Sequence, residues 1–332
     1  MKYFFIKVLD ILSFILYHIN IKDEEEKYMT KEQILNEIEN DGLSLKYVSE
    51  KLRDDKEVVL RAVEIDGSNL EYASERLRDD EEVILEAENY EDALKYASER
   101  LRSNKDFMLK ALKVIDNVLE YASDELKDDK DFVLLAIENY NIISDASERL
   151  KDDKDVALLV AKKNVWQLTY VSNRLKDDKD FALELVKING NALEYLNKKL
   201  QNDKDIVSKA IKHCGSALNY ASKDLQDDEK IALKAVSENE FALNYVSERL
   251  YNDKGFILKA IKSNALALRY VSNKMRSDKD ILLEAIKHDI LLIQYASFKL
   301  RDDEGFMLQA IKINDFALNC ASDRLKEVLK NK

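Results

Sequence analysis

A tyrosine recurs about every 25 residues along the chain and could present a row of phenol rings to a ligand. Its surroundings, Leu-Glu-Tyr-Ala-Ser-Glu-Arg-Leu-Arg-Asp-Asp at residues 70–80, return in twelve copies at intervals of 24 or 25 residues. Such rings could stack on a peptide or glycan, but a tyrosine can also pack between repeats and bond its hydroxyl to a cap or backbone group. Residues common to all units usually serve stacking. We therefore interpret these residues as a structural ladder: Tyr47, Tyr72, Tyr96, Tyr121, Tyr170, Tyr195, Tyr220, Tyr245, Tyr270 and Tyr295.

Two adjacent columns, mostly aspartate, follow the tyrosine position by seven and eight residues. The first column contains only Asp, Ser and Asn until Glu327 in the last copy, and these three residue types share the ability to cap a helix. We predict that this first column forms the N-caps: Asp54, Asp79, Ser103, Asp128, Asp152, Asp177, Asn202, Asp227, Asn252, Ser277 and Asp302.

We place the second acidic column in the first turn of the same helix, where the helix dipole favours carboxylates. A calcium site is the alternative, but it needs oxygens converging at about 2.3–2.6 Å, and carboxylates one repeat apart do not converge. A basic column is predicted to pair with the second column across repeats: Lys51, Arg76, Arg100, Arg149, Arg174, Arg249 and Arg324. The second acidic column comprises Asp55, Asp80, Asp129, Asp153, Asp178, Asp203, Asp228, Asp253, Asp278 and Asp303.

Aromatic and histidine side chains occupy several positions at which the residue type varies between repeats. Specific binding is expected where the units differ, and aromatic residues often anchor interfaces. A single tryptophan can equally be part of a core. We interpret the following as candidate partner contacts: Tyr90, Tyr140, Trp166, His213, Tyr251, His288 and Phe298.

Other kinds of chemistry find little support in the sequence. It contains no HExxH, CxxC, Walker loop or nucleophile elbow. Cys214 and Cys320 are four repeats apart, roughly 40 Å if each repeat advances about 10 Å, which is too far for a disulfide. The net charge of −12 disfavours nucleic-acid binding. We therefore predict a protein that is not an enzyme, with no cofactor, no metal and no nucleic-acid partner.

Each repeat contains two apolar stripes with helical spacing. Leu70, Ala73 and Leu77 lie at i, i+3 and i+7, and the pattern of residues 132, 133, 136 and 137 is that of a core-facing helix. A first helix of about 9 residues, a second of about 11 and two short connections fill the period. The chain contains no proline. Leucine-rich repeats have a similar period, but they need a strand and an asparagine ladder. The sequence predicts an all-α solenoid of about twelve helix-turn-helix repeats.

The repeat, continued by Val-Ile-Leu-Glu-Ala at residues 83–87, resembles the tandem-repeat family known as domain of unknown function four-one-one-six. The resemblance extends from Thr30 to Leu325. It implies an all-helical array and supplies no catalytic residues. The departures are Asp145 and Cys320 at the tyrosine position and Asn197 at the serine position.

The two ends differ from the array. Residues 1–20 form an apolar segment interrupted by Lys7 and Asp10, which we predict to be a helix that caps the first repeat, with membrane contact through residues 3–19 or export as alternatives. Residues 21–29 form an acidic linker, residues 30–325 the array and residues 326–332 a basic cap. Translation from Met29 is a further alternative.

These observations predict a monomeric, cytoplasmic scaffold that binds a protein or peptide by side chains on successive helices. The alternative function is a membrane-associated or exported surface protein, anchored by its N-terminal apolar helix.

Overall fold

The computed structural model describes residues 29–114 and 117–330, and these contain α-helices, 3-10 helices and turns but no strand. The predicted all-α repeat solenoid is confirmed. Each repeat has a long helix, then a segment that ends near the tyrosine position (the tyrosine segment), then a short helix. The predicted apolar N-terminal helix and most of the acidic linker lie outside the described residues.

The long helices correspond to the second predicted stripe. Their buried face follows the i, i+1, i+4, i+5 pattern, as in Phe132, Val133, Ala136 and Ile137, which are all buried. The long helices are Lys31–Asp41, Lys56–Val63, Glu81–Leu85, Lys105–Ala111, Lys130–Tyr140, Lys154–Lys163, Lys179–Ile188, Lys204–His213, Glu229–Glu238, Lys254–Ser263, Lys279–His288 and Glu304–Ile313.

The first predicted helix is divided, so the expectation of one nine-residue helix was wrong. At Ala73 the backbone is extended, with φ −67° and ψ 156°. The next amide, Ser74 N–H, leaves the helix and donates to Arg53 O in the preceding repeat at 3.0 Å. Short helices follow at Glu50–Arg53, Glu75–Arg78, Glu99–Arg102, Asp124–Lys127, Glu148–Lys151, Asn173–Lys176, Lys198–Gln201, Lys223–Gln226, Glu248–Tyr251, Asn273–Arg276 and Phe298–Arg301.

The tyrosine segments before these breaks are mostly 3-10 helices. Two of them, Tyr90–Tyr96 and Val118–Tyr121, are α-helical. The 3-10 segments are Leu45–Tyr47, Gly67–Tyr72, Val165–Tyr170, Gly190–Tyr195, Gly215–Tyr220, Glu240–Tyr245, Ala265–Arg269, Ile290–Tyr295 and Asp315–Cys320.

The N-caps of the long helices lie one residue later than predicted. Asp79 has helix-like dihedrals, φ −104° and ψ 10°, and ends the short helix. Asp80 is extended and accepts hydrogen bonds from the amides of Glu82 and Val83. The second acidic column therefore provides the caps, not first-turn residues, and the first column terminates the short helices.

Residue contacts group the chain into two compact units that meet after Leu150. In the unit that ends at Leu150, the core includes Phe107, Phe132 and the short-helix residue Leu77, all fully buried. In the unit that begins at Lys151, Phe181 and Phe306 fill the equivalent positions. Each unit is built by long helices packing on their neighbours, and the tyrosine segments pack side by side in the same way.

The array closes with the helix Asp323–Lys330. Residues 326–330 of the predicted basic cap continue that helix, and residues 331–332 lie outside the described chain. Among the described residues, no helix is both long and apolar enough to cross a lipid bilayer. The segment 3–19 is not among them.

Candidate partner-binding surface

An Asp–Ser–Arg arrangement joins successive repeats and accounts for the first acidic column. The Asp79 carboxylate accepts a hydrogen bond from Ser98 Oγ and binds Arg100 Nε at 2.7 Å. Arg100 also donates to the Asp79 backbone carbonyl at 3.0 Å. Ser98 accepts from the amide of Leu101 at 3.2 Å, so the same hydroxyl caps the short helix.

The departure at the serine position preserves the two contacts that the serine makes. Asn197 Nδ2 donates to Asp177 at 2.5 Å, and Asn197 Oδ1 accepts from the amide of Leu200 at 2.8 Å. An asparagine can replace the serine because its amide supplies both a donor and an acceptor.

Six of the seven residues in the basic column pair across repeats as predicted, but with the first acidic column and not with the second. The short helix ends at the first column, which brings those carboxylates to the start of the next short helix. The pairs are Arg76–Asp54, Arg100–Asp79, Arg149–Asp128, Arg174–Asp152, Arg249–Asp227 and Arg324–Asp302.

Lysines that begin the long helices bind the second acidic column of the following repeat. Lys105 Nζ lies 2.7 Å from Asp129 Oδ2, for example. The pairs are Lys31–Asp55, Lys56–Asp80, Lys105–Asp129, Lys154–Asp178, Lys179–Asp203, Lys204–Asp228, Lys254–Asp278 and Lys279–Asp303.

These contacts favour the ionised form of aspartates such as Asp79 and Asp129. Hydrogen bonds from Arg100 and Ser98 hold the pKa of Asp79 below its usual range. The hydrogen bond from Lys105 and that from the Phe132 amide do the same for Asp129. Among the described residues, no group of three or more His, Cys, Asp or Glu side chains is arranged to hold a metal ion. The carboxylates of the acidic columns are therefore engaged in contacts that hold successive repeats together.

The tyrosine column lies at the surface and is only partly covered. Tyr47 and Tyr170 are 49% and 45% exposed, and the other tyrosines of the ladder are half-buried. A hydrogen bond with Glu71 raises the pKa of Tyr72. The partner of this hydroxyl is therefore a surface carboxylate and not the cap or backbone group that was predicted. Lys95 stands 5.1 Å from the centre of the Tyr96 ring.

In the second unit a large apolar residue precedes the tyrosine position by four residues in four consecutive repeats. Phe241, Leu266, Leu291 and Phe316 hold this position. The ring of Phe241 meets Tyr245 edge-on at 5.4 Å and Tyr270 of the next repeat at 5.3 Å. Phe241 thus bridges two members of the tyrosine column. We call these four residues together with Tyr245, Tyr270 and Tyr295 the apolar strip.

The apolar strip remains open to solvent. Phe241, Leu291 and Phe316 are 41%, 55% and 43% exposed, and Leu266 is half-buried. The equivalent positions of the first unit hold mostly polar residues, such as Ser68, Asp92 and Asn117. The apolar residues of the strip are therefore particular to these repeats and are not part of the sequence pattern that all repeats share.

The seven predicted contact residues are not brought together. Trp166, 69% exposed, lies in a tyrosine segment at the same repeat position as Phe241, and Phe298, also 69% exposed, begins a short helix. His213 and His288 end long helices. His213 Nδ1 accepts from the Gly190 amide at 3.3 Å.

The other three predicted residues occupy further positions. Tyr251, in a short helix, donates its hydroxyl hydrogen to Tyr270 O at 2.9 Å. Tyr140 ends a long helix and is half-buried. Tyr90 begins an α-helical tyrosine segment. The sequence analysis missed Phe241, Leu266, Leu291 and Phe316, although aligning the repeats on their tyrosines would have revealed an apolar residue at this position in four consecutive repeats.

Comparison with known families agrees with this repeat architecture. The family model described as Domain of unknown function (DUF4116) matches eleven overlapping segments: residues 31–78, 55–89, 80–127, 116–151, 129–176, 153–201, 178–226, 203–251, 228–276, 253–301 and 278–326. The chain belongs to this family. Most segments begin close to the start of a long helix and span about two of the repeats. Neither a curated protein nor a solved structure matched the chain.

Proposed function

We propose that this DUF4116 protein is a non-catalytic scaffold that binds a protein or peptide along the apolar strip. The observation that carries the proposal is the exposure of Phe241, Leu291 and Phe316 at one repeat position beside the tyrosine column. Contiguous exposed apolar surface on a soluble chain is typical of interaction sites, and aromatic residues are enriched at interface centres.

The polar columns support the non-catalytic part of the proposal. Their aspartates are engaged as caps or in the Asp–Ser–Arg arrangement, as with Asp79 and Asp80, so their repetition is explained by stacking. A strip that crosses several repeats suits an extended segment with apolar side chains, which could contact successive units. A monomeric state is part of the proposal. So is a cytoplasmic location, which the unpaired Cys214 and Cys320 suit.

The proposal is tested by affinity capture from the source cells with three forms of the full chain. The strip variant carries Phe241→Ser, Leu291→Ser and Phe316→Ser. The control carries Ile65→Ser and Val114→Ser, two exposed apolar residues of the first unit. We expect a partner that the wild type and the control enrich and the strip variant loses, with circular dichroism unchanged. Equal recovery by all three forms would contradict a role for the strip.

A further inference from the structure

A separate groove crosses three successive long helices in the second unit. It is an open groove of about 450 Å³, bordered by Lys254–Ser263, Lys279–His288 and Glu304–Ile313. Leu258, Leu283 and Ile313 supply apolar surface, and three lysines, Lys262, Lys287 and Lys312, line it as well. None of the residues of the apolar strip lines this groove. We call it the lysine groove.

The two carboxylates of the lysine groove already have partners. Asp280 binds Lys254 at 2.6 Å, and Glu284 binds Lys287 at 3.0 Å. Within the part of the chain that the structure describes, the ammonium groups of Lys262 and Lys312 make no hydrogen bond or ion pair. The pKa of Glu284 is lowered by the hydrogen bond from Lys287 and, less strongly, by the charge of Lys262. The lining therefore has three lysines and two carboxylates, which leaves an excess of positive charge beside an apolar surface.

One corresponding groove in the first unit provides a contrast. It has leucines at the equivalent positions, Leu35 and Leu60, but Glu64 occupies the position that Lys262 holds in its own repeat. Arg61 lies 3.0 Å from Glu39 and 2.9 Å from Glu64. The repeat thus preserves the leucines while the flanking charge changes. In this groove of the first unit Arg61 is paired with both glutamates, whereas Lys262 and Lys312 of the lysine groove make no ion pair.

We propose that the lysine groove is a second docking surface, which takes an acidic amphipathic helix of a partner protein. Apolar side chains of that helix lie against Leu258, Leu283 and Ile313, and its carboxylates pair with Lys262 and Lys312. Helices docking in apolar grooves present anchors at i, i+3, i+4 and i+7. Neighbouring helices pack about 10 Å apart, so these two lysines stand about 20 Å apart, a distance that about 13 helical residues span at 1.5 Å each.

Binding of synthetic peptides to the full chain tests this assignment. The probe is a peptide of about 16 residues, long enough to span the groove, with leucines on one helical face and Asp and Glu on the other. A matched peptide replaces every acid with lysine. By fluorescence anisotropy we expect the acidic peptide to bind, more weakly as salt is added, and the basic peptide not to bind. Failure of the acidic peptide to bind, or equal binding of both peptides, would overturn the proposal.

Charge reversal locates the site. Lys262→Glu with Lys312→Glu should weaken the acidic peptide at least tenfold. The control, Lys274→Glu with Lys299→Glu, changes two exposed lysines of short helices and should leave binding unchanged, as should the strip variant. Full binding by the Lys262/Lys312 variant would refute the site. Self-association that depends on the same two lysines, measured by sedimentation, would instead assign the groove to a second copy of this chain.

Discussion

Adjacent aspartates with the same chemistry take different roles here because the backbone changes conformation between them. Asp177 ends a short helix with αR dihedrals, whereas Asp178 is extended, with φ −80° and ψ 116°. Only an extended residue can turn its carboxylate towards the first amides of the next helix. Residue types alone made both columns plausible caps, so the choice between them could not be read from the sequence.

This assignment predicts different effects for the two aspartates. Asp178→Ala should lower the free energy of unfolding by about 1 kcal/mol, as is typical for loss of an N-cap, because the Phe181 amide loses its acceptor at 2.9 Å. Hydrogen exchange at Phe181 should accelerate. Asp177→Ala removes instead the partner of Asn197 and should leave that exchange unchanged. Faster exchange at Phe181 in the Asp177 variant would restore the earlier cap assignment.

The elements of each repeat were predictable only as far as local pattern determines them. The long helices follow directly from stripes such as Phe132, Val133, Ala136 and Ile137. The break after Ala73 could not be predicted, because the Ser74 amide has its partner, Arg53 O, in another repeat. The exposure of Phe241 is likewise set by its neighbours, and a sequence pattern does not distinguish an exposed ring from a buried one.

Gly215 shows how closely a tyrosine segment approaches the long helix of the next repeat. A Cβ on Gly215 would lie 2.6 Å from Ala235 O, a backbone atom, whereas one on Gly305 would have its nearest neighbour, Asp303 Oδ1, at 3.5 Å. Gly215→Ala should therefore destabilise the protein by about 1–3 kcal/mol, the usual cost of overpacking.

Gly305→Ala provides the matched control for this substitution. It lies within a long helix and should stabilise the protein by about 0.5 kcal/mol, since alanine loses less backbone entropy than glycine on folding. Urea unfolding of both variants measures the two changes. If both substitutions change the stability in the same direction, the tyrosine segment at Gly215 packs less closely against the long helix than the structure shows.

At the scale of the whole molecule, the repeated carboxylates make stability depend on pH. The pKa of Asp79 lies below its usual range because of Arg100 and Ser98, and the pKa values of equivalent residues such as Asp152 are lowered as well. A depressed pKa contributes stability that is present above the pKa of the unfolded state, about 3.9 for Asp, and is lost as the pH falls through the folded pKa.

We therefore expect the Tm to be nearly constant from pH 7 to about 5 and to fall steeply below about pH 4. Circular dichroism melts across this range measure it. A variant with Asp79→Asn and Asp152→Asn should start from a lower Tm at pH 7 and lose less on acidification, because two of the titrating groups are gone. A Tm that stays constant down to pH 3 would contradict this account of the ion pairs.

Because each repeat is stabilised by its neighbours, we can also predict which deletions and insertions the array tolerates. Removing residues 204–228 deletes one whole repeat and joins the cap Asp203 to the long helix Glu229–Glu238, so the repeats on either side of the junction still meet a complete neighbour. Stability should fall modestly, because in such arrays it is approximately a sum of repeat and interface contributions. Duplicating residues 204–215 instead adds a long helix without its short helix, which separates Ser222 from its partners in the preceding repeat, Asn202 and Gln201. Circular dichroism and urea unfolding should show a cooperative transition for the deletion and a broadened or split transition for the duplication. Identical transitions for the two variants would mean that the repeat is not the stacking unit.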